Sequence, residues 1–419
     1  MVGLSPVSAH IKSYGTKYRT LYAMSFLVLF FALFDGLLGY LVPLLITNSG
    51  ISKTMMGFIL GTSSMFGFVF DILLCKAIKK TSLRRLYIIL FVICAVYPLI
   101  LYHASTVWLY ILAMGVWGLY YDLFNIGRYD FVGRNFDTSE HAHSFGILGA
   151  FSGLGYLLVP FFAGFLISKT INFIPFIWAW IFLFAVVIFF IFVLAFLKKD
   201  KKAVVEKEKK TKLKFSELFI WERIGKVIYP VLILTVLLNV INAVFWTVGP
   251  LLIASWTDLG VFSSLFLAAY LFPPLFVGWF VGIITKKFGT KKTGNVCLLI
   301  GSLALASFFL VQNHIVILVL TFISGFFISL AYPANNGTYA DYIEESEVVA
   351  AEIESQADLA TNLGYVIGPI LAGFFADVLG NVAAFSVIGL IGVFVAILLL
   401  IITPRKITIK LKKAKQLKA

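Results

Sequence analysis

Residues 154–165 read LGYLLVPFFAGF, and residues 363–374 read LGYVIGPILAGF, so a pattern of Leu, Gly, Tyr, Pro, Ala, Gly and Phe returns 209 positions later. Two shorter matches lie upstream of it in each half and keep the same order: PLLI at 43–46 with PLLI at 250–253, and Asn125-x-Gly127-x-Tyr129 with Asn335-x-Gly337-x-Tyr339. Short apolar matches arise by chance, but three in one order at nearly one offset indicate an internal repeat. The chain is therefore predicted to consist of two related halves.

The repeat lies within twelve apolar runs, and a membrane-spanning helix needs about 20 mostly apolar residues. The runs are at 21–46, 54–75, 86–103, 107–129, 143–168, 174–197, 227–254, 261–285, 293–311, 315–336, 357–378 and 381–403. The matched segments make the first, fourth and fifth spans equivalent to the seventh, tenth and eleventh. The predicted fold class is an all-α integral membrane protein with twelve transmembrane helices in two pseudo-symmetric six-helix bundles.

Polar segments divide the chain into five predicted parts. These are an N-terminal segment 1–20, a first bundle 21–197, a linker 198–226, a second bundle 227–403 and a basic tail 404–419. In the linker, Phe215, Leu218, Phe219 and Trp221 fit a short interfacial helix, and a solvated linker explains them equally well.

The composition excludes a water-soluble protein. Hydrophobic residues make up 61% of the 419 residues and charged residues 13%, against about 45–50% and 25% in soluble domains. The mean hydropathy is +0.98. Too few polar side chains remain to cover such a core in water.

The net charge of +14 follows from cations placed between the apolar runs. If the N-terminus is cytoplasmic, the inside segments hold all of the 34 Lys and Arg residues except Lys53 and Lys169. Such a bias sets membrane orientation and suits an anionic cytoplasmic surface rather than nucleic acid. We predict a multi-pass protein of the plasma membrane with both termini cytoplasmic.

The segment between the second and third spans carries a loop motif. Gly67 is followed four residues later by Asp71, with basic residues further on, although Leu74 stands where a second glycine is expected. With the 6+6 layout and the basic linker, this resembles the major facilitator superfamily over essentially the whole chain. The resemblance implies that Gly67 and Asp71, together with Arg128 and Arg134, form a cytoplasmic gate. A solvated loop face is the alternative.

The fifth span resembles the antiporter motif of that family, G-x8-G-x3-G-P-x2-G-G. Gly146, Gly155, Pro160 and Gly164 match it, while Val159 and Ala163 replace two glycines. The resemblance favours export over uptake. The alternative is that these small residues only allow close helix packing.

Asp35 lies near the middle of the first span, within FFALFDG at 30–36. On translocon scales a charged carboxylate at the bilayer centre costs about 2.5–3.5 kcal/mol, so an acid there marks a functional site. We interpret Asp35 as the carrier of a coupling proton. The alternative is a structural carboxyl group that ties the first helix to a neighbour. Its counterpart in the second half is Asn242, which keeps the polarity and cannot carry the proton.

Asp122 is the second candidate for proton coupling. At helical spacing, Asp122, Asn125 and Tyr129 share one face with Gly118. A polar stripe on an apolar helix is expected to face a water-filled cavity, where Asp122 would relay protons or bind a cation. An ion pair with Arg128 or Arg134 is the alternative.

Candidate substrate contacts are amide and aromatic residues of the spans. They are Asn239, Asn242 and Trp246 in the seventh, Tyr332 and Asn336 in the tenth, Asn362 and Tyr365 in the eleventh, and Tyr156 in the fifth. Each is also explained by an interhelical hydrogen bond. No Lys or Arg lies deep in a span, which favours protons and neutral or cationic solutes over simple anions.

Enzymatic motifs are missing from the sequence. It has no Walker lysine motif and no zinc-hydrolase motif, and His141-x-His143 beside Asp137 and Glu140, in a predicted loop, is a weak metal pattern. We therefore expect no enzyme activity, no cofactor and no metal site.

The sequence as a whole predicts a secondary active transporter of small organic solutes that works by alternating access and is coupled to protons. Export of hydrophobic or cationic compounds is the leading version. The first alternative is a proton-coupled importer of a sugar or another neutral metabolite. The other is an uncoupled uniporter or a non-transporting receptor. The expected partners are the solute, protons and the lipid bilayer, without nucleic acid, and the expected state is a monomer.

Overall fold

A computed structural model describes residues 19–78, 82–136, 138–167, 171–197, 228–345 and 350–403. The predicted linker 198–226 with its candidate interfacial helix, the tail 404–419 and nearly all of the N-terminal segment lie outside these residues. Within the described ranges the regular structure is helical, without any strand, and the predicted all-α class is confirmed. Helices suit hydrocarbon because they satisfy their own backbone hydrogen bonds.

Thirteen α-helices follow one another along the described chain. They are α1 (Arg19–Asn48), α2 (Lys53–Ile78), α3 (Leu83–His103), α4 (Val107–Asn135), α5 (Thr138–Leu166), α6 (Ile174–Phe196), α7 (Tyr229–Ser255), α8 (Leu265–Leu271), α9 (Pro274–Phe288), α10 (Thr290–Ala306), α11 (His314–Glu345), α12 (Ala350–Val378) and α13 (Asn381–Ile402). Two 3-10 turns, Gly260–Ser264 and Ser307–Leu310, complete them.

The helices match the predicted spans one by one, apart from the eighth. Ten are long and apolar enough to cross a membrane, and the bent segment from Phe262 to Phe288 would be an eleventh. The remaining predicted span, 54–75, lies in α2, which is 26 residues long. The eighth span divides into α8 and α9 at Pro273 and Pro274, because proline has no N–H to continue the helical ladder.

Several helices extend beyond their apolar runs. α4 continues to Asn135, α5 begins at Thr138 and α11 continues to Glu345. His141 and His143 therefore lie in a helix rather than in the predicted loop, and Asp341 also lies in a helix. Hydropathy detects only the apolar part of a helix, whereas helical hydrogen bonding continues wherever polar residues tolerate it.

The described chain forms two compact units. The first contains the residues before Pro43, Val69–Ala104 and the chain from Val116 to α6; the second contains Pro43–Phe68, Ser105–Gly115 and the helices from α7 onward. The unit boundaries fall inside α1, α2 and α4. The predicted bundles 21–197 and 227–403 stay a prediction.

The internal repeat is reproduced in the packing of each unit. In the first unit, a β-carbon at Gly155 of α5 would lie 2.6 Å from the Leu29 carbonyl oxygen of α1. In the second unit, a β-carbon at Gly364 of α12 would lie 2.7 Å from the Val236 carbonyl oxygen of α7. These pairs obey the same offsets as the sequence matches, so both helix crossings depend on a glycine at the equivalent position.

One turn further along, the two crossings place the small residue on opposite helices. In the first unit a β-carbon at Gly36 of α1 would lie 2.6 Å from Val159 of α5. In the second unit a β-carbon at Gly368 of α12 would lie 2.7 Å from Ala243 of α7. Val159, which departs from the antiporter motif, thus packs against a glycine supplied by α1.

Candidate functional site

Asp35 is the centre of a buried hydrogen-bond cluster in the first unit. Its side chain is 4% exposed. One carboxylate oxygen accepts from Trp117 Nε1 and from the Tyr120 hydroxyl, each at 2.8 Å, and the other accepts from the Tyr156 hydroxyl at 2.7 Å. The cluster therefore joins α1 to α4 through two donors and to α5 through one.

Close packing brings these donors within reach of Asp35. Gly36 leaves no side chain between α1 and α5, and a β-carbon there would lie 2.9 Å from the ring of Tyr156. On the other side, the rings of Phe31 and Phe124 stack with centroids 3.5 Å apart, which aligns α1 with α4. The glycine and the aromatic stack together position α1 between its two partners.

All three partners of Asp35 donate hydrogen from neutral groups, and charge-assisted hydrogen bonds of this kind are stronger than neutral ones. The arrangement solvates a carboxylate away from water. Trp117 and Tyr120 were not found from the sequence, where an aromatic residue in an apolar helix resembles a lipid-facing one. Tyr156, predicted to contact substrate, uses its hydroxyl for Asp35.

Asp122, the second candidate for proton coupling, lies two residues beyond Tyr120 on α4 and is partly buried. Arg134, which was one of the two alternative ion-pair partners of Asp122, bonds to Asp130 near the end of α4. Its Nε donates to Asp130 Oδ1 at 2.6 Å. The assignment of Asp122 to proton coupling stays a prediction.

A second polar cluster lies in the second unit, between α7 and α11. The Thr235 and Tyr339 hydroxyls are 2.7 Å apart, and the Asn335 side-chain amide donates to Thr235 at 2.8 Å. The Tyr332 hydroxyl donates to the Leu238 carbonyl oxygen at 2.9 Å. These four residues contribute hydroxyl and amide groups rather than an acid.

The predicted substrate residues are distributed over three helices of this unit and one of the other. The structure brings two of them together, since the Tyr332 hydroxyl is 3.3 Å from the side-chain oxygen of buried Asn239. Asn242 and Trp246 follow on α7, and Asn362 and Tyr365 lie on α12, all partly buried. Asn336 on α11 is exposed. Their contact with substrate stays a prediction.

Two amide oxygens in this unit are buried with no hydrogen-bond partner in the described chain, those of Asn242 and Asn335. Buried polar atoms are normally paired, so unpaired acceptors suit a ligand that donates hydrogen bonds. Asn242 occupies the position equivalent to Asp35.

The predicted cytoplasmic gate is described in part. Gly67 is buried in α2, and Asp71 lies in the same helix. Arg128 places its guanidinium 5.7 Å from the centroid of the Phe124 ring. Arg134 is held by Asp130 of its own helix. The gate therefore stays a prediction.

The three glycines and the proline matched to the antiporter motif all lie in α5. Gly155 is at the crossing with α1, whereas a β-carbon at Gly146 would meet nothing within 4 Å. Pro160 lies inside the helix, as Pro369 does in α12. Gly164 follows one turn later. The motif thus contributes to packing at Gly155, and its part in export stays a prediction.

Comparison with known proteins identifies the class of this fold. The sequence profile described as "Major Facilitator Superfamily" matches residues 24–351 and, in a second match, residues 231–418. The chain belongs to the major facilitator superfamily and is a secondary transporter. No curated protein sequence matches it significantly.

Solved structures share the fold over nearly the whole chain. The nucleoside transporter NupG is 14% identical, with a TM-score of 0.74 over 93% of this chain and 99% of its own. A POT family transporter in complex with a thioalcohol-conjugated peptide is 16% identical, with a TM-score of 0.71 over 92% and 96%. A bacterial homolog of the human lysosomal transporter Spinster is 12% identical, with a TM-score of 0.69 over 92% and 95%. At such identities the likeness concerns the fold alone.

Proposed function

We propose that this transporter moves a small organic solute by alternating access and couples the movement to protons through Asp35. The observation that supports the proposal is the buried carboxylate of Asp35, held by donors from two other helices. An ionisable group kept inside a membrane protein is expensive, and such groups mark ion and substrate pathways.

The hydrogen bonds give protonation a mechanical consequence. A charged carboxylate binds all three donors well, whereas a neutral carboxyl group accepts more weakly and carries a proton that itself needs an acceptor. Protonation therefore weakens the attachment of α1 to Trp117 and Tyr120 on α4 and to Tyr156 on α5. This is how a proton would change the packing of the first unit during transport.

The proposed solute is a cation or a neutral compound that donates hydrogen bonds. The buried amide oxygens of Asn242 and Asn335 are acceptors without a partner in the described chain, and the surrounding cluster has hydroxyl and amide groups. We place export first, because α5 resembles the antiporter motif at Gly146, Gly155, Pro160 and Gly164.

Import of a neutral metabolite is the second candidate. It is supported by the composition of the polar cluster in the second unit, where Thr235, Asn335 and Tyr339 bond to one another without a charged group among them. Uptake and export differ in the direction of the proton relative to the solute.

The deciding experiment measures proton flux in proteoliposomes that contain a pH-sensitive dye, challenged in turn with lipophilic cations and neutral sugars. Wild type is compared with Asp35→Asn, which keeps the size and loses the ionisable group. We expect solute-evoked proton flux opposite to the solute, abolished in the variant. The matched control is Asp258→Asn, an exposed acid that faces His314 outside both clusters, and it should retain the flux.

Other outcomes decide between the candidates. Proton flux in the same direction as a sugar would identify the importer. Solute movement without proton flux, unchanged in Asp35→Asn, would reject proton coupling and leave Asp35 as a structural residue.

The proposed setting is the plasma membrane, with both termini in the cytoplasm and the chain acting as a monomer. The orientation is supported by the distribution of the basic residues, which leaves Lys53 and Lys169 as the exceptions. The proposed partners are the solute, protons and lipid.

A further inference from the structure

A groove of about 280 Å³ lies between the first turns of α1 and the last turns of α6, both in the first unit. Besides Arg19 at one end, its lining is apolar or aromatic: Tyr22, Ala23 and Phe26 from α1, and Phe189, Phe192 and Phe196 from α6. In each helix these residues are three or four positions apart, so they share one helix face. The groove therefore follows both helices for about two turns, or about 10 Å.

Stacked rings close the groove at the end away from Arg19. The ring of Phe189 stacks on Phe26 with centroids 5.2 Å apart and on Phe30 with centroids 5.5 Å apart. Phe151 of α5 packs edge-on against Phe26 at 5.2 Å. The rings of Tyr22, Phe26, Phe192 and Phe196 are nevertheless exposed, so the described helices leave the side of the groove open. An open apolar groove on a membrane helix pair faces hydrocarbon.

Arg19 places a cation at the other end of the groove. It is the first residue of α1 and is exposed. Among the described residues, none forms an ion pair or a hydrogen bond with its guanidinium. Arginine binds phosphate oxygens in a bidentate fashion, and basic pockets between membrane helices bind anionic headgroups. A cation at the mouth of an apolar groove therefore matches the two parts of a phospholipid.

We infer that the groove binds one anionic phospholipid, with an acyl chain between α1 and α6 and the phosphate on Arg19. The predicted orientation puts Arg19 at the cytoplasmic leaflet, which carries the anionic lipids. The neighbouring segment 198–226 of the chain is a poorer occupant. It has eleven Lys and Arg residues against five Asp and Glu, and would bring like charge to Arg19.

The bound lipid would hold α6 against α1, the helix that carries Asp35. The inference is independent of the proposed transport function, because it depends only on the groove and its cation. It holds whether or not Asp35 couples protons.

Native mass spectrometry of the purified, delipidated full chain tests the inference. The protein is titrated in detergent with phosphatidylglycerol and, separately, with phosphatidylcholine that has the same acyl chains. We expect one phosphatidylglycerol to bind about three- to tenfold more tightly than phosphatidylcholine, as one cation beside a phosphate predicts. Arg19→Gln should remove this preference and leave the affinity for phosphatidylcholine unchanged.

The matched control is Arg84→Gln, which removes an exposed arginine from the first turn of α3 and should keep the preference. Ala23→Leu fills the groove and should weaken the binding of both lipids, since the acyl chain is common to them. If that variant does not fold, Phe196→Ala removes one wall of the groove at an exposed position and should also weaken both.

A phosphatidylglycerol with a photoactivatable group on its acyl chain should label peptides of α1 and α6. Equal affinity for phosphatidylglycerol in wild type and Arg19→Gln would overturn the inference. Label found only in other helices or in segment 198–226 would also overturn it. Displacement of the lipid by an equal concentration of inorganic phosphate would reduce Arg19 to an anion site without a lipid and reject the proposal.

Discussion

Asp35 and Tyr97 are two buried polar groups of the first unit that differ in their hydrogen bonding. Asp35 receives three hydrogen bonds, whereas the hydroxyl of fully buried Tyr97 has no partner in the described chain. The ring of Tyr97 contacts that of Tyr120, with centroids 5.2 Å apart. Of these two neighbouring tyrosines, Tyr120 donates its hydroxyl to Asp35 and Tyr97 does not.

This difference gives a paired prediction for tyrosine-to-phenylalanine changes. Tyr120→Phe removes a hydrogen bond to a charged acceptor and should lower the free energy of unfolding by about 1.5–3 kcal/mol. Tyr97→Phe removes a buried hydroxyl with no bond to lose and should be neutral or stabilising. Thermal unfolding in detergent measures both, and a larger loss for Tyr97→Phe would contradict the hydrogen-bond assignment.

At the scale of single residues, the sequence predicted Asp35 as a functional acid but did not predict that Trp117 and Tyr120 donate hydrogen bonds to it. Asp35 is conspicuous because a carboxylate in an apolar run has a known cost. Trp117 and Tyr120 are not, since aromatic side chains suit both a lipid-facing surface and a packed interior. Only the pairing of α1 with α4 distinguishes Tyr120 from an exposed ring such as Phe184.

At the scale of the helices, the crossing of α1 and α5 depends on Gly155 of the antiporter-like motif more than on Gly146. A β-carbon at Gly155 would meet both the Leu29 carbonyl oxygen and, at 2.8 Å, the Ala32 side chain. Gly146, two and a half turns earlier in α5, faces open space. The motif therefore combines a packing glycine with one that packing does not explain.

Alanine substitution should separate these two glycines. Gly155→Ala forces α1 and α5 apart and should cost about 1–3 kcal/mol of stability, as other overpacked sites do. Gly146→Ala should leave stability unchanged or slightly higher, because alanine favours the helix over glycine. The apparent melting midpoint in detergent measures both changes. Equal destabilisation would show that Gly146 also lies at a helix contact.

The sequence located the helices well and their ends poorly. The length and apolarity of a run identify a span such as α6, whereas the polar extensions of α4, α5 and α11 have no hydropathic signal. The sequence predicted one span at 261–285 and missed the break between α8 and α9 at Pro273 and Pro274, because a membrane helix also tolerates proline, as α5 does at Pro160. Tertiary packing decides between these outcomes.

For the molecule as a whole, the distribution of basic residues predicts the orientation. Lys53 is one of two exceptions to the cytoplasmic bias, and its Nζ donates to the Ala376 carbonyl oxygen in the last turn of α12. The basic-residue count singles out Lys53 and Lys169 equally, so it does not show that Lys53 bonds to the end of α12. Its acceptor could not be chosen from the sequence, because the contact spans 323 positions.

Fusion reporters test the orientation. Green fluorescent protein attached after Ala419 should fluoresce, since the basic tail is expected in the cytoplasm. Alkaline phosphatase, which needs an oxidising compartment for its disulfides, should be active when fused after Gly50 and inactive after Ala419. The reverse pattern in a bacterial host would place both termini outside and invert the proposed directions of transport.

The opposite placement of small residues in the two crossings limits how freely the repeats can be exchanged. The first unit pairs Gly36 with Val159, and the second pairs Ala243 with Gly368. A chimera with α5 in place of α12 would set Val159 against Ala243 and overfill the crossing, whereas the reverse exchange would set Gly368 against Gly36 and leave a void. The two halves share one packing arrangement, but each helix fits the side chain of its own partner. We therefore expect the effect of a substitution at one of these positions to depend on the residue opposite it.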